Sequence, residues 1–118
     1  MSANAVTKTR IDATSWEPYA LPKESIVEGD PKSQVHWLRV SGPGELPYFA
    51  GLWTAQPSVF DYRFELDETL HVLEGHVVVS VEGGPTIDMR PGDVVSFAKR
   101  AMTRWHVKAP FKKVFVDT

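Results

Sequence analysis

From residue 35 onward the chain is a series of short β-type runs separated by turn residues. Val35–Val40 is followed by Ser-Gly-Pro-Gly at 41–44, and Tyr48–Ala55 by Gln56-Pro57-Ser58. In Val59–Leu66, Phe60, Tyr62, Phe64 and Leu66 fall on one face, and Asp61, Arg63 and Glu65 on the other. Alternation of this kind is the period of a half-buried strand. Thr69–Glu74 and His76–Val81 read as two strands joined at Gly75. After them come a turn at 82–85, a strand at Thr86–Met89, and a turn at Arg90-Pro91-Gly92-Asp93. Val94–Ala98, Met102–Val107 and Phe111–Val116 complete the set. No stretch carries a capped 3.6-residue period. Short strands at even spacing predict an all-β sandwich or small barrel, whose mouth commonly holds one small ligand.

The remainder of the chain narrows the chemistry. At 118 residues there is room for one domain, read as a tail and irregular arm over 1–34 and a β-barrel over 35–118. Trp16, Tyr19 and Leu21, broken by Pro18 and Pro22, predict an arm that packs on its own core or on a partner subunit. The absence of Cys excludes disulfides, thiolate metal sites and thiol nucleophiles. A net charge of −2 argues against a nucleic-acid partner. Six of the 13 basic residues (Lys99, Arg100, Arg104, Lys108, Lys112 and Lys113) lie in the last 20 positions. They read as solvated strand faces in preference to an anion-binding patch. Nothing near residue 1 resembles a signal or a membrane span, so a cytoplasmic location without membrane contact is expected.

Two motifs then stand out in order. Glu68-Thr-Leu-His-Val-Leu-Glu-Gly75 has Glu, six residues, then Gly; Pro91-Gly92-Asp93 follows after a short gap. With Trp53, Phe60 to Phe64, Asp67-Glu68-Thr69 and Trp105, these residues resemble the cupin superfamily over about 48 to 117. They are most similar to the small single-domain cupins of unknown function, to one cupin domain of ureidoglycine aminohydrolase, and to the cupin domain of ethanolamine utilisation proteins. The resemblance implies a double-stranded β-helix, a small jelly-roll barrel, with the irregular arm outside it. Many cupins pair through sheet edges, so a homodimer is expected.

The resemblance also assigns the metal-ligand slots, and here the chain departs from it. The two slots before Glu68 fall on Tyr62 and Phe64, and the slot in the second motif falls on Thr103. The usual Pro and Gly of the second motif are Ala98 and Arg100. Phe64 has no donor, and one carboxylate, one phenol and one hydroxyl make a poor site for a divalent ion. No metal and no other cofactor are therefore expected. His36, His71, His76 and His106 all fall off these slots and read as surface or interface residues. Arg39, Arg63, Arg100 and Arg104 read as lying outside the barrel or at its mouth.

The expected pocket is an aromatic barrel interior formed by Trp53, Phe60, Tyr62, Phe64 and Trp105, with Thr103 and one carboxylate, Glu68. A buried carboxylate needs a partner, and Tyr62 and Thr103 are the expected ones. Burial that raised the Glu68 pKa would suit it to act as a general acid or base. Three readings stay open. The first is a metal-free binder of a small polar metabolite, with proton transfer at Glu68. The second is a metal-dependent cupin enzyme of the aminohydrolase or dioxygenase kind. The third is a non-enzymatic dimeric binding or regulatory module.

Overall fold

The computed structural model describes residues 5–118, so the first four residues of the expected tail lie outside the described residues. Among these described residues nine strands form an all-β, curled antiparallel sheet. They are β1 (Glu17–Pro18), β2 (Ile26–Gly29), β3 (Gln34–Val40), β4 (Phe49–Ala55), β5 (Ser58–Arg63), β6 (Glu68–Val81), β7 (Thr86–Met89), β8 (Val94–Phe97) and β9 (Met102–Asp117). A 3-10 turn covers Lys23–Ser25.

Two long strands organise everything else. The sequence reading divides β6 at Gly75 and β9 between Val107 and Phe111; both instead run through as single bent strands. They pair with each other from Glu68↔Asp117 to Val81↔Thr103. One half of this ladder carries β4, β3 and β1 on the β9 side and β8 on the β6 side. The other half carries β5 and β2 beside β9, and β7 beside β6. Each long strand thus belongs to both walls of the barrel.

The bend has a local cause. Gly75 sits at φ +89°, and a Cβ there would lie 2.2 Å from the Pro110 carbonyl oxygen. Only glycine permits both the backbone angle and the approach. Across Gly75 the buried positions of β6 change from Glu68, Leu70 and Val72 to Val77 and Val79. On β9, Thr103, Trp105, Val107, Phe111, Lys113 and Phe115 all point inward. The irregular register between Val72 and Val77 lets the two patterns meet.

The arm joins the sheet through β1 on β3 and β2 on β5, and packs on its own barrel. Trp16 lies 5.8 Å from the His36 ring, and Tyr19 lies 6.4 Å from Trp37. β5 ends at Arg63, short of the expected Leu66, because Phe64 instead exchanges hydrogen bonds with the 98–101 turn. Arg100, on the position where the resemblance leads one to expect glycine, has φ 77°. The turn keeps the left-handed backbone although the residue has a side chain.

Candidate functional site

The core divides by chemistry along the barrel. Around the bend, Ala55, Val72, Val77, Val107 and Phe111 are all at most 2% exposed. Above them lies an aromatic layer. Phe60 stacks on Trp105 at 5.9 Å and 15°, and Trp53 meets Phe60, Trp105 and Phe111 edge-on at 6.1 to 6.3 Å. Beyond this layer a cavity of about 360 Å3 opens to the surface.

Four expected pocket residues, Trp53, Tyr62, Phe64 and Glu68, line that cavity. Phe60, Trp105 and Thr103 do not; they belong to the layer beneath it. The Thr103 hydroxyl donates to the Tyr62 carbonyl at 2.6 Å and accepts from Trp105 Nε1 at 3.0 Å. Its one proton is committed to holding β5 to β9 while the oxygen fixes the indole, so it has no donor left for Glu68.

The partner of Glu68 is Lys113, which the reading of the basic C-terminal strands as solvated faces missed. Lys113 is 7% exposed and Glu68 3%, and the ammonium donates to Glu68 Oε2. The same ammonium lies 4.9 Å from the Trp53 ring, 5.2 Å from Trp105 and 5.3 Å from Phe115. Ring faces attract a cation electrostatically, more strongly where water is excluded. The signal was present in the order Phe111, Lys113, Phe115, which puts the lysine on the inward face. Arg104 is exposed, as expected, and pairs with Asp61; Lys112 is not a solvated residue, since its side chain is 18% exposed, pairs with Glu74, and donates to the Ile11 carbonyl of the arm at 3.0 Å.

A second carboxylate completes the floor. Asp117 stands opposite Glu68 in the β6–β9 ladder and opposite Phe49 on β4. Burial pushes its carboxyl up to about 8, helped by the hydrogen bond and charge of Glu68 and opposed by Lys113. Two neighbouring carboxylates cannot both ionise cheaply, so one proton is held between them at neutral pH. Asp117 Oδ1 itself is shielded from solvent. The Tyr62 phenol faces that of Tyr19 and is held well above the usual range, first by burial and then by Tyr19 and Glu68. Tyr19, Trp37, Phe49, Leu66 and Phe115 finish the wall, with Glu65 at the rim.

The histidines do not gather at this floor. His71 and His106 are exposed on outward positions of β6 and β9. His76 Nε2 lies 2.5 Å from Asp88 Oδ1, which Arg90 also holds. His36 Nδ1 donates to the Ser15 carbonyl at 2.6 Å, and its Nε2 accepts from Thr9 at 2.7 Å.

The slots that hold a metal in metal-binding cupins therefore do not fit one here. Phe64 has no lone pair, Thr103 is already bonded twice, and Glu68 is engaged by an ammonium. No cluster of three or more His, Asp or Glu with metal-site geometry occurs among the described residues. No helix among them is long and apolar enough to cross a membrane.

Comparison with known proteins agrees with this architecture. Residues 48–115 match the EutQ-like cupin domain model, and the chain belongs to that family. Asp117, Tyr19 and Trp37 lie outside the matched span. The chain is 36% identical to a DUF861 family protein of Thermotoga maritima, with a TM-score of 0.53, covering 54% of this chain and 73% of that one. A DUF861 family protein from Pseudomonas syringae superposes with a TM-score of 0.80 at 22% identity. That match covers 92% of this chain and 46% of the Pseudomonas protein. The Clostridium difficile EutQ protein is 15% identical with a TM-score of 0.60, covering 71% of this chain and 60% of that one. No curated protein matches the chain.

Proposed function

We propose that this EutQ-like cupin binds a small polar metabolite in its aromatic cavity without a metal, on a floor made by Glu68, Lys113 and Asp117. The observation that carries the reading is the buried Lys113–Glu68 pair at the base of an open cavity. Removing two charges from water is expensive, and a well-packed apolar pair of similar volume is often at least as stable. A fold that only needed filling has a cheaper solution at the same positions, the one used around the bend. The placement fits polar anchors held ready for a ligand.

The floor also suits proton transfer. Asp117 is pushed up to about 8 beside Glu68, so the pair can give or accept a proton under neutral conditions. An isomerase or lyase acting by proton movement needs such a pair, and Glu68 remains the group placed to receive the proton. Pairing of two copies through sheet edges remains part of the reading; light scattering that returns a monomer at micromolar concentration removes it.

A thermal-shift screen against small polar metabolites tests the site. A ligand that stabilises the protein should lose most of that shift in Glu68→Gln, and an undiminished shift removes Glu68 from the site. Elemental analysis of the purified protein tests the exclusion of metal. Stoichiometric manganese, iron, nickel or zinc that disappears with Glu68→Gln would establish the metal-dependent reading instead.

A further inference from the structure

The charged members of the cavity lining are one cation, Lys113, and the carboxyl-bearing Glu65, Glu68 and Asp117. An ammonium carries three N–H donors. Among the described residues, the Lys113 ammonium has one hydrogen-bond acceptor, Glu68 Oε2. The rings of Trp53, Trp105 and Phe115 stand 4.9 to 5.3 Å from it and draw its charge, but they offer no lone pair. Donors are therefore left over. The Lys113 side chain is 8% exposed, and the space it meets is the cavity that it lines. The ammonium is also held in place, by β6 through Glu68, by β4 through Trp53 and by its own strand through Trp105 and Phe115. A donor fixed in this way can bind without giving up side-chain freedom.

Resting on the metabolite-binding reading above, we infer that the cavity takes a small uncharged carbonyl compound with an apolar body, whose oxygen accepts an N–H donor that Glu68 leaves over on Lys113. The other classes fit less well. An anion meets the Glu68 carboxylate, with Asp117 beside it and Glu65 at the rim, and its one attraction is a cation that Glu68 already pairs. A cation meets the ammonium at the point where the donors lie. A wholly apolar molecule strips water from those donors and replaces it with nothing, which is costly for a buried polar group. A carbonyl oxygen accepts without bringing charge, and Trp37, Phe49, Phe64 and Leu66 supply surface for the apolar body. An ammonium beside that oxygen also stabilises negative charge developing on it, the support that proton movement at the neighbouring carbon needs.

Three probes of similar shape and different charge test the class: pinacolone (tert-butyl methyl ketone), pivalate and N-methyl-tert-butylammonium. Each is titrated at neutral pH into the 118-residue chain and followed by tryptophan fluorescence, since Trp37 and Trp53 line the cavity. Pinacolone should bind at least about tenfold more tightly than either ion. Infrared difference spectra of unlabelled against carbonyl carbon-13 pinacolone then read the seat. The bound carbonyl stretch should lie below its frequency in water, because a charge-assisted hydrogen bond is stronger than one from water. The double variant Lys113→Met with Glu68→Leu removes the donors at similar volume, and should bind pinacolone about tenfold more weakly or worse. If that variant does not fold, the infrared band of the wild type decides alone.

Equal or tighter binding of pivalate or the ammonium probe overturns the uncharged class and leaves the cavity reading standing. A bound carbonyl band at or above its frequency in water, or a pinacolone affinity unchanged in the double variant, overturns the seat at Lys113. Failure of all three probes to bind overturns this inference, while the metabolite screen with Glu68→Gln judges the cavity reading separately.

Discussion

The two ends of this barrel are built from the same strands and spend their inward positions differently. Around the bend, β6 and β9 contribute Val72, Val77, Val107 and Phe111, and the interior is closed and apolar. Toward the mouth the same strands contribute Glu68, Lys113 and Asp117. Strand alternation does not distinguish the ends, because every one of these residues sits at an inward slot. The difference is one of chemistry at equivalent positions. One end is filled for packing, whereas the other holds charges that cost stability unless each is satisfied.

The largest test of that contrast removes one charge. Lys113→Ala leaves Glu68, 3% exposed, without its cation. It should cost about 3–5 kcal/mol in urea unfolding at neutral pH. Replacing both members by apolar residues, Lys113→Met with Glu68→Leu, should recover most of that loss, making the mouth resemble the far end. Recovery would show that the pair is retained for something other than stability. A double variant as unstable as the single one would mean that the pair is structural.

The next test attacks the join between the ends. Gly75→Ala places a Cβ against the Pro110 carbonyl at a positive φ. A loss of at least about 2 kcal/mol is expected, read as a lowered urea midpoint. The same substitution at Gly83, also at positive φ but with no atom nearby, should cost less.

A smaller effect comes from pH. The folded state holds the Asp117 proton up to about pH 8, while an unfolded aspartate releases it near the ordinary value of 3.8. Between those values the folded chain binds more protons, so stability falls as pH rises across the window and levels off above it. Asp117→Asn should remove this slope. At about pH 8.5 the variant should be more stable than the wild type by on the order of 1 kcal/mol, after allowance for partial solvent screening. Near pH 4 the two should converge, and melting curves at both pH values check it. The smallest expected change is at Arg100, held at φ 77° beside the Phe64 wall. Arg100→Gly should stabilise by about 0.5–1 kcal/mol by relieving the left-handed strain, read from the urea midpoint.

The architecture was legible because its signals are local. Period-two alternation, the Glu68 to Gly75 spacing and the Pro91-Gly92-Asp93 turn each act over a few residues. Strand continuity was harder to read. A glycine followed by a β-run looks like a turn, and whether the ladder bends through it depends on Pro110, 35 positions away in sequence. The cavity was partly legible. Trp53, Tyr62, Phe64 and Glu68 occupy slots that the motif marks out. Tyr19, Trp37 and Phe49 reach the wall only through the docking of the arm and the curl of β3 and β4. Lys113 was masked by a sound general rule, that a cluster of charges reads as solvated strand faces, and Asp117 carries no motif that would single it out. The rule fails here because Lys113 lies between Phe111 and Phe115 on an inward face. Phe60, Thr103 and Trp105 share the inward face with the pocket residues but sit deeper, and alternation carries no information about depth.

Because β6 and β9 run through both walls, neither wall can be released by itself. Any fluctuation that peels β4 from one wall loads the same β9 that holds β5 in the other. Folding meets the same constraint in reverse. The β6–β9 ladder must close around the intervening segment that carries β7 and β8 before either wall has its central pair. The chain is thereby committed to a single cooperative transition, slowed by the entropy of that closure. The benefit is a mouth whose floor and walls hold their relative positions even when empty.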